Sequence, residues 1–319
     1  MPVPPTPRIS VHPPLQEPPN LKSVTRIDKW LPIYLRQNGL SLRSLSLSLL
    51  EAAIRRKNVH WPLLIARYLR GKDVLDVGCG RSLYGVTFLF AGAKSYTGVD
   101  PTLDLDSNVI KDSSGLHGRF EASPWTPRRL MDRLPGLAYI SGLTSDLPPG
   151  STFDVLAMHN VTEHLMEIDQ TFAEFAKLIR PGGRIVFRHP NYYSWGGHHL
   201  HPRTLDEIID DDPRQTPYMD WEHLRDRPDW PEKIALKQNR IRLGDLRELV
   251  ARHFDIELWQ SERSSKIEGA ERLTPEILAS HPDFTEEEML TQAILCVARK
   301  PTGHALEHWE HEAIGSMKQ

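Results

Sequence analysis

The run Val74-Leu-Asp-Val-Gly-Cys-Gly80 constrains this 319-residue chain more than any other. A short apolar stretch ends in paired glycines, a helical pattern runs from about Leu83 to Ala91, and Ser95-Tyr-Thr-Gly-Val-Asp100 makes a second short stretch. Strand, glycine turn, helix and strand form a βαβ unit, and such a crossover implies parallel strands with helices packed on the sheet. Leu137-Ala-Tyr-Ile and Phe153–His159 read as further strands, followed by a helix with Phe172, Phe175, Leu178 and Ile179 on one side. Pro181-Gly-Gly predicts a turn and Arg184–His189 a fifth strand. A helical face made by Leu243, Leu246, Leu249, Val250 and Phe254 precedes two closing strands, Phe254–Trp259 and Gln292–Ala298.

The flanks read differently. Residues 1–20 hold eight of the 26 prolines, so 1–24 is expected to be an extended tail. Residues 25–70 are expected to form a helical cap. Leu42, Leu45, Leu49 and Ala53 share one face, Trp61, Leu64, Ile65, Tyr68 and Leu69 make a second stripe, and Gly71 stops it. The main domain then spans 71–300, with 101–136 interrupting the alternation around a short helix at Pro127–Leu134. Residues 191–238 are too long and irregular for a bare connection and read as a substrate or lid insertion. The 263–288 stretch is polar and acidic, and 301–319 reads as a tail.

Composition excludes several classes. With 39 Lys+Arg against 42 Asp+Glu there is no basic excess, so no nucleic-acid partner is expected. No apolar run approaches the roughly 18 residues of a membrane helix, and the first residues lack a secretory pattern. Only two cysteines, Cys79 and Cys296, are present, which excludes a disulfide framework or an all-cysteine zinc site and points to a reducing cytoplasm.

The glycine turn carries the first chemistry. Gly78 and Gly80 let the backbone turn tightly and approach a ligand, and Asp100, 20 residues beyond Gly80, can accept both hydroxyl hydrogens of a ribose. A dinucleotide fingerprint wants a third glycine where Leu83 stands. Asp76, two residues before the first glycine, would repel a pyrophosphate but suits an α-ammonium group. A ligand with an amino acid at one end and adenosine at the other, S-adenosylmethionine, suits both carboxylates. These motifs resemble those of class I S-adenosylmethionine-dependent methyltransferases of the "methyltransferase domain 11" type, from about Gly71 to Arg188 and more loosely through Lys300. The matching segments are Leu75-Asp-Val-Gly-Cys-Gly80, Asp100, Gly142-Leu-Thr-Ser-Asp146-Leu-Pro, Phe153 through His164-Leu, and Arg180-Pro-Gly-Gly183. The resemblance implies an α/β fold, with a doubly wound, mostly parallel, seven-stranded Rossmann-like sheet whose last strand is antiparallel. It also implies cofactor contacts at Asp76, Gly78, Gly80, Asp100, Leu143, Thr144, His159 and Asn160. Leu143 departs from the family, which often has an acidic residue there, so the adenine edge is expected to meet the Thr144 backbone with Leu143 on the ring.

Methyl transfer to a hydroxyl benefits from a base, and histidine suits neutral pH. Four of the 15 histidines, His189, His198, His199 and His201, fall in one run with Tyr192, Tyr193 and Trp195 after the fifth strand, where open α/β sheets bind ligands. His189, His199 and His164 are the candidate catalytic residues, with helix capping the competing role for Glu163 and His164. The aromatics suit a polyhydroxylated acceptor, so transfer to a hydroxyl of a sugar or glycan precursor is the leading expectation. Alternatives are N- or C-methylation of a natural product or lipid precursor, or a non-catalytic cofactor-binding scaffold. No metal site is assigned, although His198, His199, His201 and Asp210-Asp-Asp212 offer ligands as a second reading. Oligomeric state is left open.

Overall fold

The computed structural model describes residues 47–56, 58–81, 83–112, 119–225 and 238–302, so the expected tails and the start of the helical cap lie outside the described residues. Its core strands are β1 (Asp73–Val77), β2 (Ser95–Asp100), β5 (Leu137–Ser141), β6 (Phe153–His159), β7 (Ile179–Pro190), β8 (Asp255–Arg263) and β9 (Thr291–Arg299). They form a seven-stranded sheet in the order β5-β2-β1-β6-β7-β9-β8. Strand β1 pairs in parallel with β2, Asp73 opposite Ser95, and with β6, Val74 opposite Val155. Strand β2 pairs in parallel with β5, whereas β8 and β9 are antiparallel. Val74, Leu75, Val155 and Leu156 are all buried, which is why these strands read as apolar runs rather than alternating ones.

The described residues divide into two compact units. One contains 47–159, 177–186 and 300–302. Within it, α1 (Leu47–Arg55), α2 (His60–Leu64) and α3 (Ala66–Leu69) precede β1, α4 (Tyr84–Phe90) joins β1 to β2, and α5 (Pro127–Arg133) precedes β5. Thr126 accepts the Arg129 N–H and caps α5, with Pro127 at the first helical position. The stripe over 61–69 is not one helix but two, broken at Ile65. Trp61, Ile65 and Leu69 are all buried. Residues four apart drift by about 40° around a straight helix, and the break lets all three face inward.

The 101–136 connection also holds more than the expected loop. Val109–Asp112 (β3) and Arg119–Ala122 (β4) pair as an antiparallel hairpin, too short for alternation to reveal. Strand β7 begins at Ile179, five residues before the expected start, and the expected Pro-Gly-Gly turn lies within the strand as assigned, with Gly182 at φ 76°.

The second unit contains 160–176 and 187–299. Helix α6 (Ile168–Leu178) begins here, α7 (Leu243–His253) precedes β8, and α8 (Pro275–Ala279) and α9 (Glu286–Leu290) precede β9. The expected insertion is a chain of short 3-10 turns at 205–207, 216–218 and 222–224. Trp195 and Trp221 from it are fully buried with Met289 and Leu290, packed by Leu205, Met219 and Phe284. The polar 263–288 stretch thus helps to complete a second hydrophobic core. Gly269 closes it at φ 83°, and a Cβ there would lie 2.6 Å from the Trp195 ring. Gly269→Ala is expected to destabilise the protein by about 2–4 kcal/mol, the sum of left-handed strain and overpacking. Urea denaturation of the variant against the parent measures this.

Candidate functional site

The carboxyl ends of β1, β2, β5 and β6 converge on the glycine turn. Gly78 and Gly80 sit at φ 71° and 57°, in the left-handed region that favours glycine. The Gly78 N–H bonds Val99 O at 2.8 Å, and the Gly80 N–H donates to Asp100 Oδ2 at 3.0 Å. Asp100 Oδ1 accepts the Thr102 N–H and hydroxyl, each at 2.7 Å. Among the described residues, and its chain neighbours aside, no heavy atom lies within 4 Å of a Cβ built on Gly80, so the turn is open there.

Asp76 is buried behind this turn, and Tyr96 donates its hydroxyl to Oδ2 at 2.7 Å. Burial pushes its carboxyl up to about 7, the Tyr96 bond opposes that, and the charge of Asp100 adds to it. At the end of β5, Leu143 is 59% exposed and Thr144 opens a 3-10 turn. The Leu143 N–H donates to Asp146 Oδ2 at 2.8 Å, which brings a carboxylate back to the loop where position 143 itself is apolar. His159 ends β6, with Nδ1 3.2 Å from the Tyr84 hydroxyl and its ring stacked on Trp61 at 5.0 Å. Sequence reasoning missed Trp61 and Tyr84 as neighbours of the site. Trp61 was readable as an apolar helix position, but its partner 98 residues later was not. Its indole N–H is buried with no acceptor among the described residues.

A second constellation lies in the other unit. The 3-10 turn Thr162–His164 carries buried Glu163 and exposed His164, with His164 Nε2 3.6 Å from Glu163 Oε1. His199 completes a group whose donor atoms lie within 4.8 Å of one another. Asn239 fixes the turn: its side-chain amide donates to Thr162 O at 2.7 Å and Leu165 O at 2.9 Å, and its own N–H to Glu163 O at 2.8 Å. His189 is buried, with Nδ1 2.8 Å from the Thr162 hydroxyl. Burial pushes His189 and His199 each down to about 3, reinforced by the nearby arginines and imidazoles, so both rings are neutral at pH 7. Burial pushes Glu163 up to about 8, against its own backbone N–H and the charge of Arg188. Asn160 is exposed at φ 59° and accepts from Arg188 at 2.7 Å. Glu163 was weighed in sequence only against a capping role, whereas Asn239 was not foreseen at all, and nothing in local sequence ties Asn239 to a turn over 70 residues earlier.

Two expectations about the histidine run change. His198, His201 and Asp212 do not gather with His199: His198 Nε2 is 3.0 Å from Tyr218 O, His201 is 3.2 Å from Glu207, and Asp212 holds Arg214. Of that proposed ligand set only His199 enters a cluster, and its neighbours are Glu163 and His164. Trp195 and Tyr192 are buried in the unit's interior, so they do not offer rings to an acceptor. A core position satisfies an aromatic side chain as well as a ligand does, and composition cannot separate the two.

Residues 51–253 match a family model described as a methyltransferase domain. The chain belongs to the methyltransferase domain family. An uncharacterized methyltransferase of Mycobacteroides abscessus is 31% identical over 136 residues, 41% of this chain and 45% of that protein. A ubiquinone biosynthesis O-methyltransferase of Rhizobium leguminosarum bv. trifolii is 32% identical over 123 residues, 38% of this chain and 41% of that one. The matched stretch thus spans less than half the length of these relatives. The crystal structure of an S-adenosylmethionine-dependent methyltransferase from Mesorhizobium loti aligns with 75% of this chain and 97% of its own, at 18% identity and a TM-score of 0.44.

The residues of this methyltransferase-family chain fit the cofactor. Gly80 leaves open room above the turn, Asp100 retains lone pairs beyond those given to Gly80 and Thr102, and Asp76 is a buried acid that an ammonium group would return to its charged form. Asp76 also makes a stability prediction. The folded chain keeps its proton up to about pH 7 and the unfolded chain only to about 3.8, so the folded state binds more protons between these values. Stability should therefore fall as pH rises through that window, on the order of 1.4 kcal/mol for each pKa unit. Asp76→Asn removes the titration while keeping an acceptor for Tyr96. Urea midpoints from pH 5 to 8 should decline in the parent and stay nearly level in the variant.

Proposed function

We propose that this chain is an S-adenosylmethionine-dependent methyltransferase that acts on a hydroxyl of a small molecule, with a sugar or glycan precursor as the first acceptor class. The observation that carries the reading is the open turn at Gly80 between the carboxylates of Asp76 and Asp100. When bound, S-adenosylmethionine supplies a methyl group on a positively charged sulfur, and transfer leaves neutral S-adenosylhomocysteine.

The chain's own residues divide the remaining work. Asp100 receives the ribose hydroxyls and Asp76 the α-ammonium. Leu143 and Thr144 border the adenine, and His159 and Asn160 close the edge after β6. We assign the Glu163–His164–His199 group to activation of the acceptor oxygen. That oxygen must attack in line with the departing sulfur at about 3 Å, with water excluded. As the new oxygen–carbon bond forms and the sulfur–carbon bond breaks, the electron pair stays on sulfur and the hydroxyl proton passes to that group and on to water. His189, buried behind Thr162, is a positioning residue in this scheme. A phenolic hydroxyl is the second acceptor class, favoured by the ubiquinone biosynthesis O-methyltransferases among the relatives. A reducing cytoplasm is the proposed compartment, in keeping with Cys79 and Cys296, both buried and neither in a disulfide.

Calorimetric titration with S-adenosylhomocysteine tests the cofactor assignment. Micromolar binding is expected, and Asp100→Asn should weaken it by about ten- to a hundredfold, the scale of charge-assisted hydrogen bonds. No binding at millimolar ligand would favour a scaffold that has lost its cofactor. For the acceptor site, His199→Ala should lower methyl transfer by about a hundredfold or more while S-adenosylhomocysteine affinity stays within a factor of two, the range for losing an acid–base group. Radiolabelled methyl transfer to nucleotide sugars, glycans and phenols measures it, and unchanged turnover would move activation elsewhere.

A further inference from the structure

We infer that Glu163, His164 and His199 form a binding site for one divalent transition-metal ion. One donor atom from each residue lies within 4.8 Å of the other two, and the Glu163–His164 pair is separated by 3.6 Å. A tetrahedral ion about 2.1 Å from each donor holds its ligands about 3.4 Å apart. That pair is already near the required spacing. The His164 side chain is 46% exposed and has room to adjust.

The second observation is the state of Glu163. It is only 2% exposed, and apart from the pull of its own backbone N–H neither carboxyl oxygen has a hydrogen-bond partner among the described residues. Buried polar atoms are nearly always paired, and a carboxyl group left bare in the interior needs a reason. A cation held between this carboxylate and two imidazoles supplies one. Helix capping does not, because Glu163 makes no such bond.

The surroundings favour a preformed site. Asn239 clamps the backbone on both sides of Glu163, and His189 steadies Thr162 from behind. His199 holds a left-handed backbone at φ 60°, with its carbonyl accepting from Arg203 at 2.5 Å. Two arginines, Arg188 and Arg203, stand near enough to oppose a cation, and each has a carboxylate that offsets it in part. Arg188 forks onto Glu262 at 2.9 and 2.6 Å, and Glu207 lies beside Arg203.

Ligand chemistry sets the class of ion. Two imidazole nitrogens and one carboxylate suit zinc, cobalt, manganese or iron(II), whereas magnesium and calcium prefer all-oxygen shells. Three protein donors also leave coordination positions open. On the transferase reading above, on which this clause alone rests, an acceptor hydroxyl would take one of them and release its proton to water more readily.

The full-length protein, stripped with chelator and titrated with Co2+, tests the site through the ligand-field absorption of the bound ion. One equivalent is expected to bind, with Mg2+ in tenfold excess failing to displace it. Glu163→Gln and His199→Ala should each weaken binding by at least tenfold, with thermal melts checking that the variants fold. His164→Ala, at an exposed ring, repeats the test with little risk to folding. His201→Ala, outside the cluster, should bind like the parent. Absence of binding at millimolar Co2+, equal binding by the cluster variants, or equal loss in His201→Ala would each overturn the site. S-adenosylhomocysteine titration of the same preparations reads the cofactor assignment separately, so failure of one is not failure of the other.

Discussion

One carboxylate holds the glycine turn of this molecule in order. Asp100 reaches from the end of β2 to the turn after β1, accepting the Gly80 N–H through one oxygen and the Thr102 N–H and hydroxyl through the other. Glycine loses more conformational freedom than other residues on folding, so a turn built on Gly78 and Gly80 needs external restraint. The parallel pairing of β1 with β2 sets the approach, and the Val99 carbonyl adds a second anchor at Gly78. The remaining lone pairs of Asp100 are then available at a fixed place, and the space above Gly80 stays open. Preorganisation of this kind lowers the entropy that a ligand must overcome on binding.

The other unit is ordered by different means. Its turn at 162–164 is too short to be stable alone and is held by the side chain of Asn239, delivered from a distant part of the chain. Burial then governs the chemistry of the residues it presents. His189 and His199 are kept neutral, while Glu163, beyond its own backbone N–H, finds no hydrogen-bond partner among the described residues. Neutral imidazole and a carboxyl in one place can move a proton or hold a cation. The same residue types lie scattered through the 198–212 run, where local partners such as Tyr218, Glu207 and Arg214 occupy them instead.

The strands of the sheet were legible because burial on both faces writes itself as unbroken apolar runs. Ser95–Asp100 and Phe153–His159 match their expected limits, and Asp73–Val77 ends at the expected glycine. The hairpin of β3 and β4 was not legible, since four residues per strand carry too little alternation. The tryptophans of the insertion misled for a related reason. Trp195 reads in sequence as a ligand-facing aromatic beside the histidines, but it is buried with Trp221, Met289 and Leu290 and against Gly269, which no local pattern connects to it.

Sequence alone determined the parallel βαβ architecture, the glycine turn and the two carboxylates beside it. Each of these follows from residues close together along the chain, where backbone sterics and hydrophobic period act directly. The tertiary structure alone decided which histidines share a site. Side chains 35 residues apart meet or miss according to how intervening turns pack, and that packing is settled by contacts from elements such as Asn239 that lie farther along still. The residues proposed to meet the cofactor could therefore be read from a short local segment, whereas the grouping of Glu163, His164 and His199 needed the folded chain.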